Sequence, residues 1–210
     1  MSKQTALALL EESRVQDKVK GVDISGLDLT QTDISETSTE RLRGTDVILR
    51  AGILDLAYFL DADFTSANLE GASCNQTAFF DCILHQVTAT NADFTHANIS
   101  ASSGTECDFS SSEFDNATLW ASIFVKSNFS DATLTQVEAS SACFDEANLT
   151  NADLSDGNFT ETVFRKANLT GANLSGGNFT GCDFTGAILT DVNWDNATLT
   201  GAKFDPGVVI

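Results

Sequence analysis

The chain is poor in positive charge, in proline and in long apolar runs. Its 210 residues include one proline, one methionine and one tyrosine, and 30 acidic residues stand against 11 basic ones, for a net charge of −19. Direct binding to nucleic acid or to an anionic membrane depends on basic surface, so this balance argues against both and favours a basic protein partner. No stretch approaches the length of a membrane span and the start lacks a secretory apolar run, so we expect a cytoplasmic protein.

Residues that carry catalysis or bind metals are also scarce. The two histidines, His85 and His96, fall on different faces of the repeat described below, and no Gly-Lys-Ser/Thr phosphate loop or Ser-His-Asp arrangement can be assembled. The five cysteines show no paired spacing and fit reduced core positions. We therefore expect no enzyme, no metal site and no cofactor.

What the chain does have is a five-residue repeat. Between residues 142 and 204 every fifth residue is large and apolar, and the residue two places earlier is small. A period of five fits neither an amphipathic helix nor a strand, so it indicates a repeat architecture. The phase begins at Ile24 and holds to Phe204. Its large position is weakly filled at five places, which we expect to lack core volume: Thr39, Gly44, Ala89, Gly104 and Ala139.

A second period of twenty residues lies on the first. The large positions Phe124, Phe144, Phe164, Phe184 and Phe204 fall in one column, which predicts four five-residue units per coil and a rod with four faces. Glycine and asparagine recur two places after the large residue, where they suit the positive φ of a type II turn. With coils about 4.8 Å apart, nine coils make a rod on the order of 45 Å long.

The pattern Ala-(Asp/Asn)-(Leu/Phe)-(Ser/Thr)-X resembles the pentapeptide-repeat family. Residues 152–156 (Ala-Asp-Leu-Ser-Asp) and 172–176 (Ala-Asn-Leu-Ser-Gly) match it closely, and the resemblance covers roughly residues 22–206. It implies an all-β solenoid, a right-handed quadrilateral β-helix of about nine coils. The handedness comes from the family alone.

The two ends of the rod need separate elements. Residues 3–19 carry apolar side chains at helical spacing, with Ser2 as N-cap, and predict a capping helix within an N-terminal segment 1–21. The β-helix then spans 22–206, with a degenerate coil at 36–46 that we expect to be distorted. Pro206 cannot adopt positive φ, so the repeat stops there. The apolar tail 207–210 either folds over the last coil or joins two chains end to end, so the chain is a monomer or an end-to-end or side-by-side homodimer.

Charge is unevenly distributed over the four faces. We number the faces from the one that contains the Phe124 column. After residue 51 the basic residues all fall on the first face, and the third face is the richest in acid. Over these coils the net charge per length reaches about three quarters of that of duplex DNA. The alternative is that a solenoid needs charge only for solubility. The candidate acidic face consists of Asp55, Asp93, Glu113, Asp115, Asp153, Asp156 and Asp195.

An apolar strip follows the edge between the fourth and first faces. Its residues lie just after the large positions of the fourth face and just before those of the first, where side chains should point outward. We call this set the apolar corner: Leu60, Phe80, Ile83, Trp120, Ile123 and Val163. An exposed strip of this kind is typical of a partner surface. The alternative is that these side chains fold against irregular coils near Ala89 and Gly104.

Three functions follow as hypotheses. The first is a scaffold or regulatory module that docks a protein, such as a transcription regulator or a secretion component, through the apolar corner. The second comes from the family resemblance: quinolone-resistance members imitate DNA and bind DNA gyrase, although this chain lacks their C-terminal dimerisation helix and their loops. The third is a structural rod. An electrostatic mimic should release its partner as salt rises, whereas an apolar docking site should not.

Overall fold

The structure, a computed structural model, describes residues 1–15 and 18–208. One helix, α1 (Lys3–Glu12), precedes four short strands, β1 (Val19–Lys20), β2 (Ser38–Glu40), β3 (Tyr58–Leu60) and β4 (Ala78–Phe80). The strands form one parallel sheet in the order β1-β2-β3-β4, and each is paired with the residues twenty places later. Parallel bridges between residues twenty apart continue as far as Asp183 and Lys203. The predicted four-faced all-β solenoid with an N-terminal helix is confirmed.

The coils are joined by a regular hydrogen-bond ladder. The Phe124 amide donates to the carbonyl of Cys143 at 2.7 Å, and the Cys143 amide donates back to the carbonyl of Ser122 at 2.9 Å. The large and small residues of each unit point inward, and the buried core runs from Val22 to Phe184. The flanking residues face outward, so each pentad supplies two core side chains and a short stretch of surface.

The turn between successive faces has positive φ along almost the whole described rod. The prediction from glycine and asparagine holds at Gly171 (φ 69°) and Asn151 (φ 56°). The same conformation also occurs at residues that disfavour it, including Leu56 (φ 60°) and Lys126 (φ 58°). The Lys126 amide donates to the Asp145 carbonyl at 2.9 Å, so the ladder holds the strained turn in place.

The expectation that the weakly filled positions lack core volume is wrong where the structure tests it, because these positions are not cavities. A methyl group at Gly104 would lie 3.0 Å from Sγ of Cys107 and 3.2 Å from Cδ1 of Phe124. One at Gly44 would lie 3.0 Å from Cδ1 of Phe64. In the sequence a phenylalanine stands exactly one coil after each of the five weak positions, at residues 59, 64, 109, 124 and 159. A large ring therefore fills the space that its smaller neighbour leaves.

The coil at 36–46 is regular, contrary to expectation. Ser38–Glu40 pairs in register with Tyr58–Leu60, and Thr39 is fully buried. The bridge from Arg43 to Asp63 continues the ladder past Gly44. Phenylalanines of the following coil supply the missing volume, so the weak sequence costs no regularity.

The capping helix is shorter than predicted. It ends at Glu12, and Val19 belongs to β1, where it pairs with Thr39 because it lies in the five-residue phase of the rod. Ser2 is the N-cap, as predicted, and accepts the Thr5 amide at 3.1 Å. After the helix, Arg14 donates to the carbonyl of Ser35 at 2.8 Å, which fastens the segment to the first coil.

At the far end the repeat stops as predicted. Gly207 takes the positive φ (90°) that Pro206 cannot adopt, and the Val208 amide donates to the Asp205 carbonyl at 3.3 Å. The Asp205 carboxylate accepts the Gly186 amide at 2.9 Å. The predicted roles of Val209 and Ile210 lie outside the described residues.

Candidate interaction surfaces

The structure brings the residues of the apolar corner together along one edge of the rod. Leu60 and Phe80 end β3 and β4 and pair in register. On the other side of the edge, bridges link Ile83 to Ser103, Ser103 to Ile123, and Ile123 through Cys143 to Val163. Half-exposed side chains dominate the strip: Phe80 (39% exposed), Ile83 (42%), Trp120 (53%) and Ile123 (43%). Leu60 and Val163 are partly buried at its two ends.

The two aromatic side chains cover small neighbours on the surface. Ser100, which lies between Phe80 and Trp120 in the same column, is only 4% exposed. Ala101 and Ala121 are half-buried, whereas the other turn residues of that column are exposed. Because the core beneath is filled, the alternative that these rings compensate for missing core volume is wrong. The result is an apolar patch on the surface.

Hydroxyl residues occupy some of the small inward positions on every face, as Ser112 does on the third and Ser127 on the second. The small inward positions beneath the patch carry hydroxyl groups: Ser102 donates to the Phe79 carbonyl at 2.8 Å, and Ser122 donates to the Ile99 carbonyl at 2.6 Å. Further along, Thr162 donates to the Ala139 carbonyl at 2.7 Å. Every one of these buried hydroxyls donates to a carbonyl, so none of them is left unsatisfied beneath the apolar corner.

Exposed apolar side chains elsewhere in the described part of the chain are scattered. Ile188 follows Asn168 in its column, and Ile53 lies between Asp33 and Ser73. Single residues of this kind are normal on a protein surface. The apolar corner differs because its members line one edge: Leu60 and Phe80 lie on successive coils, and Trp120 follows two coils after Phe80.

The candidate acidic face is partly engaged in its own hydrogen bonds. Asp55 accepts the Ser73 hydroxyl at 2.6 Å, and Asp115 accepts the hydroxyls of Thr133 and Thr135. Among the remaining members, Asp93 and Glu113 are neighbours on adjacent coils, and Asp153 accepts the Ser155 amide at 3.0 Å. Asp156 and Asp195 are exposed.

The grouping of basic residues on the first face has a local cause. Arg165 pairs with Asp145 at 2.6 Å, and Lys126 and Lys166 approach Glu146 at 4.0 and 3.3 Å. Each partner lies one coil away on the same face. Exposed pairs of this kind add little stability, but they cancel charge on the first face. No ion pair among residues 1–15 and 18–208 includes a carboxylate of the candidate acidic face.

Reactive chemistry finds little support in the described region. Burial raises the pKa of Cys82 and of Cys182 to about 12, so both thiols stay protonated and unreactive near neutral pH. His85 is engaged, since its Nδ1 lies 2.9 Å from the Thr105 hydroxyl. The described residues contain no group of three or more His, Cys, Asp or Glu side chains that could hold a metal ion. Within the same residues, no helix has the length and apolar character needed to cross a membrane.

Comparisons with known proteins agree with this architecture. No curated protein sequence matches the chain. Among solved structures, QnrB1, a plasmid-mediated fluoroquinolone resistance protein, is 15% identical over 89% of this chain and 91% of its own, with a TM-score of 0.59, and so shares the fold. HetL from Nostoc sp. strain PCC 7120, a protein involved in heterocyst differentiation regulation, is 18% identical over 100% of both chains, with a TM-score of 0.34.

A family model decides the classification. The model described as pentapeptide repeats matches in eight copies, over segments 49–86, 57–95, 82–120, 112–151, 142–181 and 178–205. These segments cover most of the chain and coincide with the coils that the ladder joins. The chain belongs to the pentapeptide-repeat family.

Proposed function

We propose that this protein is a non-enzymatic, cytoplasmic interaction scaffold or regulatory module that docks a protein partner through the apolar corner. The observation that carries the proposal is the group of half-exposed apolar side chains on that edge, Phe80, Ile83, Trp120 and Ile123. Of the exposed large apolar side chains in the described part of the chain, the two aromatic ones both lie on this edge. The fold accommodates these exposed side chains, and we assign to them the binding of a protein partner.

The apolar corner supplies part of the free energy that specific, reversible binding requires. Covering the exposed halves of Phe80, Ile83, Trp120 and Ile123 would remove roughly 300 Å² from water, worth about 7 kcal/mol before other costs. Association itself costs about 4–15 kcal/mol in lost freedom, so contacts around the patch must contribute as well. Trp120 and Phe80 have the size and the rigidity of binding hot spots.

The test compares the corner with a distant apolar pair. Phe80→Ser combined with Trp120→Ser should reduce partner recovery from native-host extract by about tenfold or more, and should lower any self-association seen by sedimentation. The control, Ile53→Ser combined with Leu56→Ser, removes equally exposed apolar groups from the third face and should leave recovery unchanged. Circular dichroism checks that both variants keep the fold. Equal recovery with the wild type and the corner variant would end the proposal.

The uncancelled charge of the candidate acidic face favours a second function. Its carboxylates have no basic partner among the described residues, so the face keeps a dense negative field that could imitate DNA and bind a basic protein such as DNA gyrase. The test measures gyrase supercoiling with and without a quinolone at rising protein and salt. Inhibition or protection that is lost in Glu113→Gln combined with Asp156→Asn would support mimicry. No effect at micromolar protein in low salt removes it, and failure of both tests would leave a structural rod.

A further inference from the structure

We propose that the apolar corner takes a cationic amphipathic helix that lies along the rod. This inference rests on the proposed function and specifies its partner. Between the two apolar columns runs a ridge of turn residues, whose members are Asp61, Asp81, Ala101, Ala121, Ser141 and Glu161. The two alanines leave the centre of the ridge low and apolar, while carboxylates stand towards both ends.

The spacing of the strip fits a helix. Phe80 and Trp120 lie two coils apart, as do Ile83 and Ile123, which is about 9.6 Å at the spacing of stacked coils. Helical residues seven apart are about 10.5 Å apart along the axis, so two successive apolar positions of one helix face can meet both pairs. The distance from Asp81 to Glu161 is four coils, or about 19 Å, which corresponds to about 13 helical residues.

An added strand is a poorer occupant. The backbone beneath the strip is already paired: the Ile83 amide donates to the Ala62 carbonyl at 2.9 Å, and the Ile123 amide donates to the Ser102 carbonyl at 3.0 Å. No free sheet edge therefore runs along the corner for a peptide to extend. Recognition has to come from side chains, which is how a helix binds an apolar groove.

The charge at the two ends selects a cation. Asp61 is paired with Arg41 at 3.2 Å, but neither Asp81 nor Glu161 forms an ion pair among the described residues. The nearest basic side chains of the first face, Lys126 and Arg165, are held by their own acidic partners. A second copy of this chain would be repelled, because it carries the same net charge of −19. Basic residues flanking an apolar helix face complement this edge instead.

The experiment uses three synthetic peptides of about 14 residues, long enough to span the ridge. The first carries leucines on one helix face and lysines on the other, the second replaces lysine with glutamate, and the third is a scrambled lysine peptide without an apolar face. Trp194→Phe leaves Trp120 as the single tryptophan, so its emission reports occupation of the corner. At about 150 mM salt we expect the first peptide to shift that emission to the blue and to bind at least tenfold more tightly than the other two.

Variants separate this inference from the docking function. Asp81→Asn combined with Glu161→Gln should weaken the leucine–lysine peptide by about tenfold at low salt and by less at high salt, while Asp131→Asn combined with Asp191→Asn on the second face should not. Phe80→Ser should weaken it at every salt concentration. If the glutamate peptide binds equally well and Phe80→Ser weakens it, the corner docks partners but not by positive charge, and this inference fails alone. If Phe80→Ser has no effect on any peptide, both proposals fail.

Discussion

The two halves of the rod differ in how evenly their large inward positions are filled. From residue 144 onward the rings of one column lie flat on each other: Phe144 and Phe164 are 5.4 Å apart at 9°, and Phe164 and Phe184 are 5.2 Å apart at 4°. In the middle of the rod, rings of one column also stack, as Phe94 and Phe114 do at 9°, and rings from adjacent faces meet edge to face, as Phe109 and Phe124 do at 89°. The difference is that large residues fill every large position from residue 144 onward, whereas in the middle a large ring stands one coil after a small residue.

The outer surfaces of the two halves differ along one edge. In the regular half, asparagine ladders run from coil to coil, as where Asn193 donates to Asn173 at 3.0 Å and Asn173 donates to Asp153 at 3.0 Å. The middle half has such a ladder too, where Asn148 donates to Asn128 at 2.9 Å, but it also carries the apolar corner on another edge. The regular repeat therefore specifies the fold. Departures from it are tolerated inside the rod because a large ring fills the space beside a small residue one coil away. The same tolerance frees the surface of the middle half for a partner.

The largest expected effect removes one ring from each half. Phe109 and Phe164 each contact four aromatic rings, but Phe109 stands one coil after the small Ala89, whereas Phe164 stands one coil after another phenylalanine. Phe109→Ala should lower the free energy of unfolding by about 5 kcal/mol and Phe164→Ala by about 3 kcal/mol, because the larger space around Ala89 collapses less completely. Urea unfolding measures both. Equal losses would show that the two halves respond alike.

A smaller effect tests whether the middle half contains spare volume. Gly104→Leu should destabilise the protein by about 1–3 kcal/mol, because Phe124 and Cys107 already occupy the space. Combining it with Phe124→Leu should cost less than the two separate changes together, since the second change makes room for the first. An increase in stability from Gly104→Leu alone would mean that the core there is underfilled after all.

Much of the fold could be predicted because the five-residue phase is unbroken. The phase places the Phe144 column inside and both columns of the apolar corner outside by counting alone. The end of α1 was missed because Val19 fits helical spacing, although it also lies in the phase of the rod. The positive φ at Leu56 could not be predicted, since it comes from the ladder and not from the residue's own preference.

The sequence predicted where the residues of the apolar corner lie, but not that hydroxyl groups lie beneath them. The sequence pattern located Phe80 and Trp120 beside Ile83 and Ile123, because residues next to the large position must face outward. The hydroxyls beneath them were missed because the inward position was judged by size, and Ser102 and Ser122 are as small as alanine is. Reading that position for polarity as well would have identified them. The identity of a partner depends on a second surface, which no pattern in this chain contains.

The smallest expected effect concerns a buried polar atom in strand β2 (Ser38–Glu40). Oγ1 of Thr39 is buried and has no hydrogen-bond partner among the described residues, whereas the nearby Thr37 donates its hydroxyl to the Ile34 carbonyl at 2.9 Å. Thr39→Val keeps the shape and removes the unsatisfied group, so the free energy of unfolding should rise by about 1 kcal/mol. The matched control, Thr37→Val, removes a satisfied donor and should lower it by about 1 kcal/mol. A higher free energy of unfolding for Thr39→Val and a lower one for Thr37→Val would show that the Thr39 hydroxyl does not stabilise this coil. A lower free energy of unfolding for Thr39→Val would mean that the hydroxyl contributes.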